Sequence, residues 1–218
     1  MRSTMTRHRH LCSALAISLL VALGGCNRAA VRVPGASLSF PETPTRYVSK
    51  KTYPSNAAVL LPIDVRPEHY EEKVAGTRWT GCRTDPFWTT DASKIIWERM
   101  GSELTGSKLF ARVSRRATGP EDIVIRSEIH AFCSQAVGFL YLRVAGISAL
   151  KITVERNGRT LLQEKFERVV TDADPQYTGS QIGFIEQAMM VTMADSLREL
   201  LKDFFARLEK EAQGWQAA

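Results

Sequence analysis

Few side chains in this 218-residue chain are suited to chemistry. Past residue 26 it holds two histidines, His69 and His130, and two cysteines, Cys82 and Cys133. His130-x-x-Cys133 with Cys82 and His69 would supply four zinc donors, but the paired Cys-x-x-Cys knuckles of structural zinc sites are missing. No metal is expected, and His130 reads as a residue on the polar face of a strand. Glu68, Glu71 and Glu72 form an acidic patch that could serve as paired carboxylates, although a solvated turn is the simpler reading. The chain has no Gly-x-Ser-x-Gly elbow, no phosphate-cradling Gly-rich loop and no His-Glu-x-x-His helix. The expectation is a protein without catalytic residues or cofactor.

The strongest local pattern lies at the N-terminus. Arg2, Arg7 and Arg9 precede an uncharged apolar run over residues 11–23. That run is shorter than the roughly 18–20 residues of a membrane-spanning helix and has the layout of a cleaved export signal. Directly after it, Leu23-Gly24-Gly25-Cys26 resembles the lipobox of bacterial lipoproteins. The resemblance implies cleavage before Cys26, a diacylglycerol on its thiol and acylation of the new amino group. It also implies outer-membrane sorting facing the periplasm, because Asn27 and not Asp follows the cysteine. The alternative is a plain secretory signal. Two or three acyl chains anchor stably where one does so only marginally.

Removing residues 1–25 takes away three arginines and no acid, so the formal charge drops from +6 to +3. The body is mildly basic, with its charges interspersed and no basic stripe interleaved with aromatics, so no nucleic-acid partner is expected. Cys82 and Cys133 form an even pair, which invites a disulfide in an oxidising compartment; two separate thiols are the alternative.

The elements follow from periodicity. Pro34, Pro41, Pro44 and Pro54 mark residues 26–55 as lipidated N-terminus and tether. Residues 57–63 read as a buried first strand that Pro62 ends or confines to an edge. Residues 64–90 lack periodicity yet carry Trp79, Cys82, Phe87 and Trp88. A helix capped by Asp91 or Ser93 runs to Gly106, and a short strand follows at 108–113. The strand at 122–132 places Ile123, Ile125, Ile129 and Ala131 on one face with Ser127, and Arg126, Glu128 and His130 on the other. Asn157-Gly158 signals a hairpin between a strand ending near 155 and a return strand at 161–170, with a bulge needed to set the register. Last comes a helix over 180–211, striped by Ile182, Ile185, Met189, Met193, Leu197, Leu200, Phe204 and Leu208. Its length predicts an overhang at the C-terminal end, and Leu201 and Phe205 widen the stripe enough to dock a partner helix.

This order predicts an α+β fold, a small mixed, mostly antiparallel sheet packed against two helices, the C-terminal one long. One such domain spans 56–213, with 214–218 as a tail. Four segments resemble small bacterial envelope lipoproteins with a TolB-N-terminal-like or anticodon-binding-like module: Val59-Leu60-Leu61-Pro62-Ile63-Asp64, Leu109-Phe110-Ala111-Arg112-Val113, Glu121-Asp122-Ile123-Val124-Ile125 and the hairpin at 153–166. That group includes auxiliary lipoproteins of ABC-type lipid transporters, the curli-secretion lipoprotein and activators of peptidoglycan synthases. The resemblance implies a non-catalytic accessory lipoprotein that binds an envelope protein or lipid; the alternative is a structural, homo-oligomeric assembly factor. Two segments are candidate partner surfaces: the loop with Trp79, Phe87 and Trp88, and residues 137–144 with Phe139 and Tyr141. Core filling is the alternative for both.

Overall fold

In the computed structural model, residues 47–66, 73–74, 77–78, 91–120, 122–137, 143–172 and 182–215 are described, and all of them fall in one compact unit. Strand β1 (Tyr53–Val59) pairs in parallel with β5 (Phe110–Ser114) on one side and β6 (Ile123–Val137) on the other. A two-residue strand, β2 (Ile63–Asp64), continues along β6 beyond β1. From β6 the sheet meanders antiparallel through β7 (Arg143–Arg156) to β8 (Arg159–Thr171), giving the order β5-β1-β6-β7-β8. A separate small hairpin joins β3 (Lys73–Val74) to β4 (Thr77–Arg78). Helices α1 (Ala92–Ser107) and α2 (Ile182–Gly214) complete an α+β fold with a mixed, mostly antiparallel sheet and a long C-terminal helix.

Local chemistry sets the boundaries. Asp91 caps α1, its carboxylate accepting the Ser93 amide at 2.9 Å. The helix runs past Gly106 and ends at Lys108, which takes the left-handed conformation (φ 57°) usually left to glycine. At the β7–β8 turn Asn157 (φ 52°) and Gly158 (φ 73°) both have positive φ, the type I′ pattern that follows strand twist. The expected bulge lies beside this turn: Glu155 faces Thr160 but Val154 faces Leu162, so Leu161 is the extra residue. That slip puts Leu162 and Phe166 beside Val154 and Leu150 in the core.

The main core lies between the sheet and the two helices. Ile95, Ile96, Met100 and Leu104 of α1 meet Leu197, Leu200, Leu201, Phe204, Phe205 and Leu208 of α2 over Ile123, Ile125, Ile129, Leu150, Ile152 and Val154. A second cluster holds Ala131, Cys133, Ile147 and Ala149. Along β7 side chains alternate, so Ile147 and Ala149 point away from the helix-covered face that carries Leu150 and Ile152.

Several expectations need correction. Ala131 does not share the face of Ile123: the β6–β7 register slips between Ile129 and Ala131, and this bulge at His130 sends Phe132 into the main core and Ala131 to the opposite face. The C-terminal end of α2 does not overhang. Strands of 13 to 15 residues make a sheet about 45 Å long or more, so Leu208 and Ala212 are fully buried and Trp215 still packs on the core. Leu201 and Phe205 are buried too, so they offer nothing to a partner helix. Order also begins before residue 56: Tyr47 packs on the core and Tyr53 is buried. Finally, β1 ends at Val59, and Leu61 and Ile63 are exposed rather than buried. Pro62 has no amide to extend the ladder, and Ile63 resumes beside Glu128 on the face away from the helices.

Candidate functional site

The two ends of the sheet differ in what they carry. At one end the chain enters. The Tyr47 hydroxyl donates to the Glu209 carboxylate near the end of α2, whose other oxygen accepts the Lys50 amide at 3.1 Å. The Ser49 amide donates to the Ser107 carbonyl at the end of α1 (2.8 Å), and the Tyr47 ring packs on Phe205. Burial pushes the Glu209 carboxyl upward, but hydrogen bonds from Tyr47, Ser49 and the Lys50 and Lys51 amides outweigh it and hold the group below its ordinary value. Burial, then the bond to Glu209, carries the Tyr47 hydroxyl well above its own. The β7–β8 turn and the bend before β6 lie at this end as well, joined by the Asn157 amide donating to the Pro120 carbonyl.

Connecting segments open at the other end. Val137 faces Arg143 where β6 passes to β7, and the Asp172 amide donates to the Val144 carbonyl where β8 stops. Helix α2 starts beside them, with Ile185 and Met189 on Val144. The segment after β2 climbs the same way: the Val65 amide donates to the Ile129 carbonyl, and Arg66 reaches the Phe132 carbonyl (2.9 Å) while forking onto Asp64. Burial opposes ionisation of Asp64, yet the hydrogen bonds from Arg66 leave its carboxyl below the ordinary value.

Beneath this end α2 presses directly onto β7. A Cβ at Gly146 would lie 2.1 Å from the backbone of Thr192; only glycine admits that approach. One turn on, Ser148 and Ser196 are fully buried and share a hydrogen bond of 2.7 Å, and Ser134 sits 3.4 Å from Thr192. Sequence reasoning missed this seam, although small residues alternating at 146 and 148 were its signal. Beside it, Glu103 of α1 contacts Arg99 (2.6 Å) and the buried Arg198 of α2 (3.7 Å), tying the helices together.

Of the site residues expected from sequence, Cys133 is the one described. It is buried opposite Ile147 and is disulfide-bonded. Its sulfur is therefore not a thiolate able to bind zinc. Cys26, Cys82, Trp79, Phe87, Trp88, Phe139 and Tyr141 lie outside the described residues, as do His69, Glu68, Glu71 and Glu72. His130 occupies the bulge, half-buried, with Nε2 3.5 Å from Glu128. Among the described residues no three His, Cys, Asp or Glu side chains converge to hold a metal, and no helix is long and apolar enough to cross a membrane.

Sequence reasoning also missed a set of exposed apolar side chains. Leu61, Ile63 and Val65 alternate in the open (57%, 65% and 43% exposed) on the segment leading to residues 67–72, while Phe184 and Val191 are exposed on the first turns of α2. Of the large apolar side chains exposed among the described residues, only Val48 belongs to the end where the chain enters. The two groups lie on different faces, Ile63 away from the helices and Phe184 and Val191 on α2 itself.

No protein-family model matches the chain, and no curated protein matches it by sequence. Among solved structures, protein XCC0632 from Xanthomonas campestris, described as a DUF330 protein, aligns at 12% identity with a TM-score of 0.51, over 81% of this chain and 95% of its own. The two share a fold. Hypothetical protein CT253 from Chlamydia trachomatis (13% identity, TM-score 0.43, 72% of this chain and 96% of its own) and lipoprotein GNA1162 from Neisseria meningitidis (12%, 0.32, 66% and 100%) are more remote.

Proposed function

We propose that the protein is an envelope accessory lipoprotein that acts by binding, without catalysis. Cys26 carries the lipid that holds it at the periplasmic face of the outer membrane, and the end of the sheet with the connecting segments meets an envelope protein, a transport system being one version. The observation that supports this reading most is the polarity of the fold. The chain enters at one end, clipped to Glu209, while Leu61, Ile63, Val65, Phe184 and Val191 stand exposed on segments directed to the other. Residues 67–72 and 79–90, with Trp79, Phe87 and Trp88, continue from one of these segments, and Trp is enriched at binding hot spots.

Two experiments test it. Mass spectrometry of the processed N-terminal peptide must show acyl chains on Cys26, and Cys26→Ser must release the protein from the membrane fraction; retention of that variant would place the anchor elsewhere. Photo-crosslinkers at positions 61, 63 and 184 in intact cells must capture a defined envelope protein. Self-crosslinks alone would replace this reading with the structural, homo-oligomeric one.

A further inference from the structure

The end of the domain where the chain enters is rich in unpaired positive charge. Lys50, Lys108 and Lys210 are exposed where the entering segment crosses the ends of α1 and α2: the Lys50 amide donates to Glu209, and the Lys108 carbonyl accepts from the Thr52 hydroxyl. Arg116, Arg156 and Arg159 add three guanidinium groups at the end of the sheet, Arg156 and Arg159 directly opposite each other across the β7–β8 turn. None of the six forms an ion pair among the described residues. The Nε of Arg156 is buried without a hydrogen-bond partner, beside a cleft lined by Pro54, Ser55, Asn56 and Asp122.

Among the described residues, two carboxylates at this end keep their negative charge because their partners are neutral donors, and two others are paired with cations. Glu209 accepts from Tyr47 and the Lys50 amide. Asp122 accepts from the Thr118 amide and hydroxyl, the Gly119 amide and Asn56. Glu211 pairs with Arg207 and Glu155 with Arg126. The formal charge past residue 25 is only +3, so six unpaired cations against the two uncompensated carboxylates Glu209 and Asp122, among the described residues, still leave this end positive.

We propose that this basic end is a headgroup-binding surface that docks on anionic phospholipids of the bilayer. The proposal rests on the lipid-anchor reading for its choice of partner. The chain leads from Tyr47 back to Cys26 through 20 intervening residues, a reach of at most about 70 Å, so this end is tethered to the membrane. Phosphate oxygens suit such a surface: guanidinium groups bind them through two parallel hydrogen bonds and lysines as point charges.

The test uses the full chain carrying Cys26→Ser, so that no acyl chain masks weak association. It is sedimented with vesicles of phosphatidylcholine alone and with vesicles containing phosphatidylglycerol, the leader being common to every arm. The chain must prefer the anionic vesicles, and added salt must erase the preference. One Lys or Arg near an anionic surface is worth roughly five-fold, so Lys108→Gln, Arg116→Gln and Arg159→Gln together must lower binding to the anionic vesicles by about a hundred-fold. All three side chains are exposed, and an unchanged thermal melt confirms the fold. Lys94→Gln with Arg143→Gln, at the opposite end, must keep most of the binding.

Equal partition onto both vesicles overturns the proposal, as does an equal loss in the Lys94/Arg143 variant, which would reduce the effect to net charge. Loss of crosslinks to an acidic envelope protein in the triple variant, with vesicle binding unaltered, overturns it in favour of a protein partner. The mass of the processed N-terminal peptide of the unsubstituted chain tests the anchor separately. An unmodified Cys26 there would end the anchor reading while leaving the vesicle result standing.

Discussion

Replacing Gly146 by alanine adds one methyl group where the fold has no room for it. The new Cβ would sit 2.1 Å from the carbonyl carbon and oxygen of Thr192 and 2.3 Å from the Met193 amide nitrogen. Ordinary contact begins near 3.4 Å, so helix and strand must separate by about 1.3 Å. The obstacle is backbone in the middle of a long helix, so no rotamer change relieves it. Separation also strains the Ser148–Ser196 hydrogen bond one turn away. Overpacking costs about 1–3 kcal/mol, and a weakened buried hydrogen bond adds about 1 kcal/mol. The expected destabilisation is about 2–4 kcal/mol, a large share of the roughly 5–15 kcal/mol that holds a domain folded. At this size it lowers the melting temperature by about 4–16 °C. Urea denaturation followed by far-UV circular dichroism gives the free energy, and calorimetry gives the temperature. Gly214→Ala is the control, since a Cβ there meets nothing, and it leaves stability unchanged or slightly higher. Adding Thr192→Ala must not rescue Gly146→Ala, because the clash is with main chain. A Gly146→Ala midpoint equal to that of the parent, or rescue by Thr192→Ala, would refute the close approach of α2 to β7.

Three other expectations follow from the same structure. Cys133 is disulfide-bonded, and if Cys82 is its partner, reduction and alkylation add two labels to a peptide pair joining them, while Cys82→Ser costs about 4 kcal/mol by loop entropy; a mass map that pairs Cys133 with any other cysteine sinks that assignment. Asp64, Asp122 and Glu209 are all held below their ordinary values, so their stabilisation is complete above the unfolded-state carboxylate range near pH 4 and is lost as pH falls through the lower folded values; a melting temperature that stays flat under acid titration would contradict this. Tyr47→Phe removes a charge-assisted donor from Glu209 and is expected to cost about 1.5–3 kcal/mol, with the acid limb of the stability curve moving to higher pH; an unmoved limb would show that the bond does not hold the carboxylate.

What could be read from the sequence was local. The β7–β8 hairpin, its bulge and both helices follow from patterns within a few residues: Asn157-Gly158, the capping Asp91 and the stripe on α2. The parallel pairing of β1 with both β5 and β6 has no such signal, since its partners lie more than 50 residues away and the choice is made by core packing. A single-residue event defeated the periodicity of β6. Strict alternation puts Ala131 with Ile129, but the bulge at His130 reverses the faces and gives Phe132 to the main core. Leu61 and Ile63 were misread because an apolar run beside a buried strand looks the same whether the chain stays in the ladder or steps to its edge. The even number of cysteines allowed a disulfide at Cys133 without deciding it against two separate thiols, and the Glu209 clip gave no local signal at all. A proline-rich stretch reads as tether until a buried carboxylate 162 residues from Tyr47 is seen to hold it.

The length of the strands decides how the two proposed surfaces relate. Had the sheet been as short as typical strands of five or six residues make it, the end where the chain enters and the end with the connecting segments would lie within about 20 Å. Both would then stand at the membrane surface. Strands of 13 to 15 residues set the ends about 45 Å apart or more, and α2, with 33 residues, runs the whole distance at about 50 Å. With the basic end on the headgroups, Phe184 and Val191 stand well beyond the reach of surface charge, which fades over roughly 10 Å. A lipid anchor alone would let the domain tumble and present its apolar residues to lipid as readily as to a partner. Docking at the charged end removes that freedom, which raises the effective concentration of the far end towards a partner projecting into the periplasm. Neutralising the basic end is therefore expected to weaken capture at positions 61, 63 and 184 in cells without touching those residues, whereas neutralising Lys94 and Arg143 leaves the orientation intact. Equal crosslinking yields in parent and triple variant would separate the two surfaces and leave the tether as the sole determinant of reach.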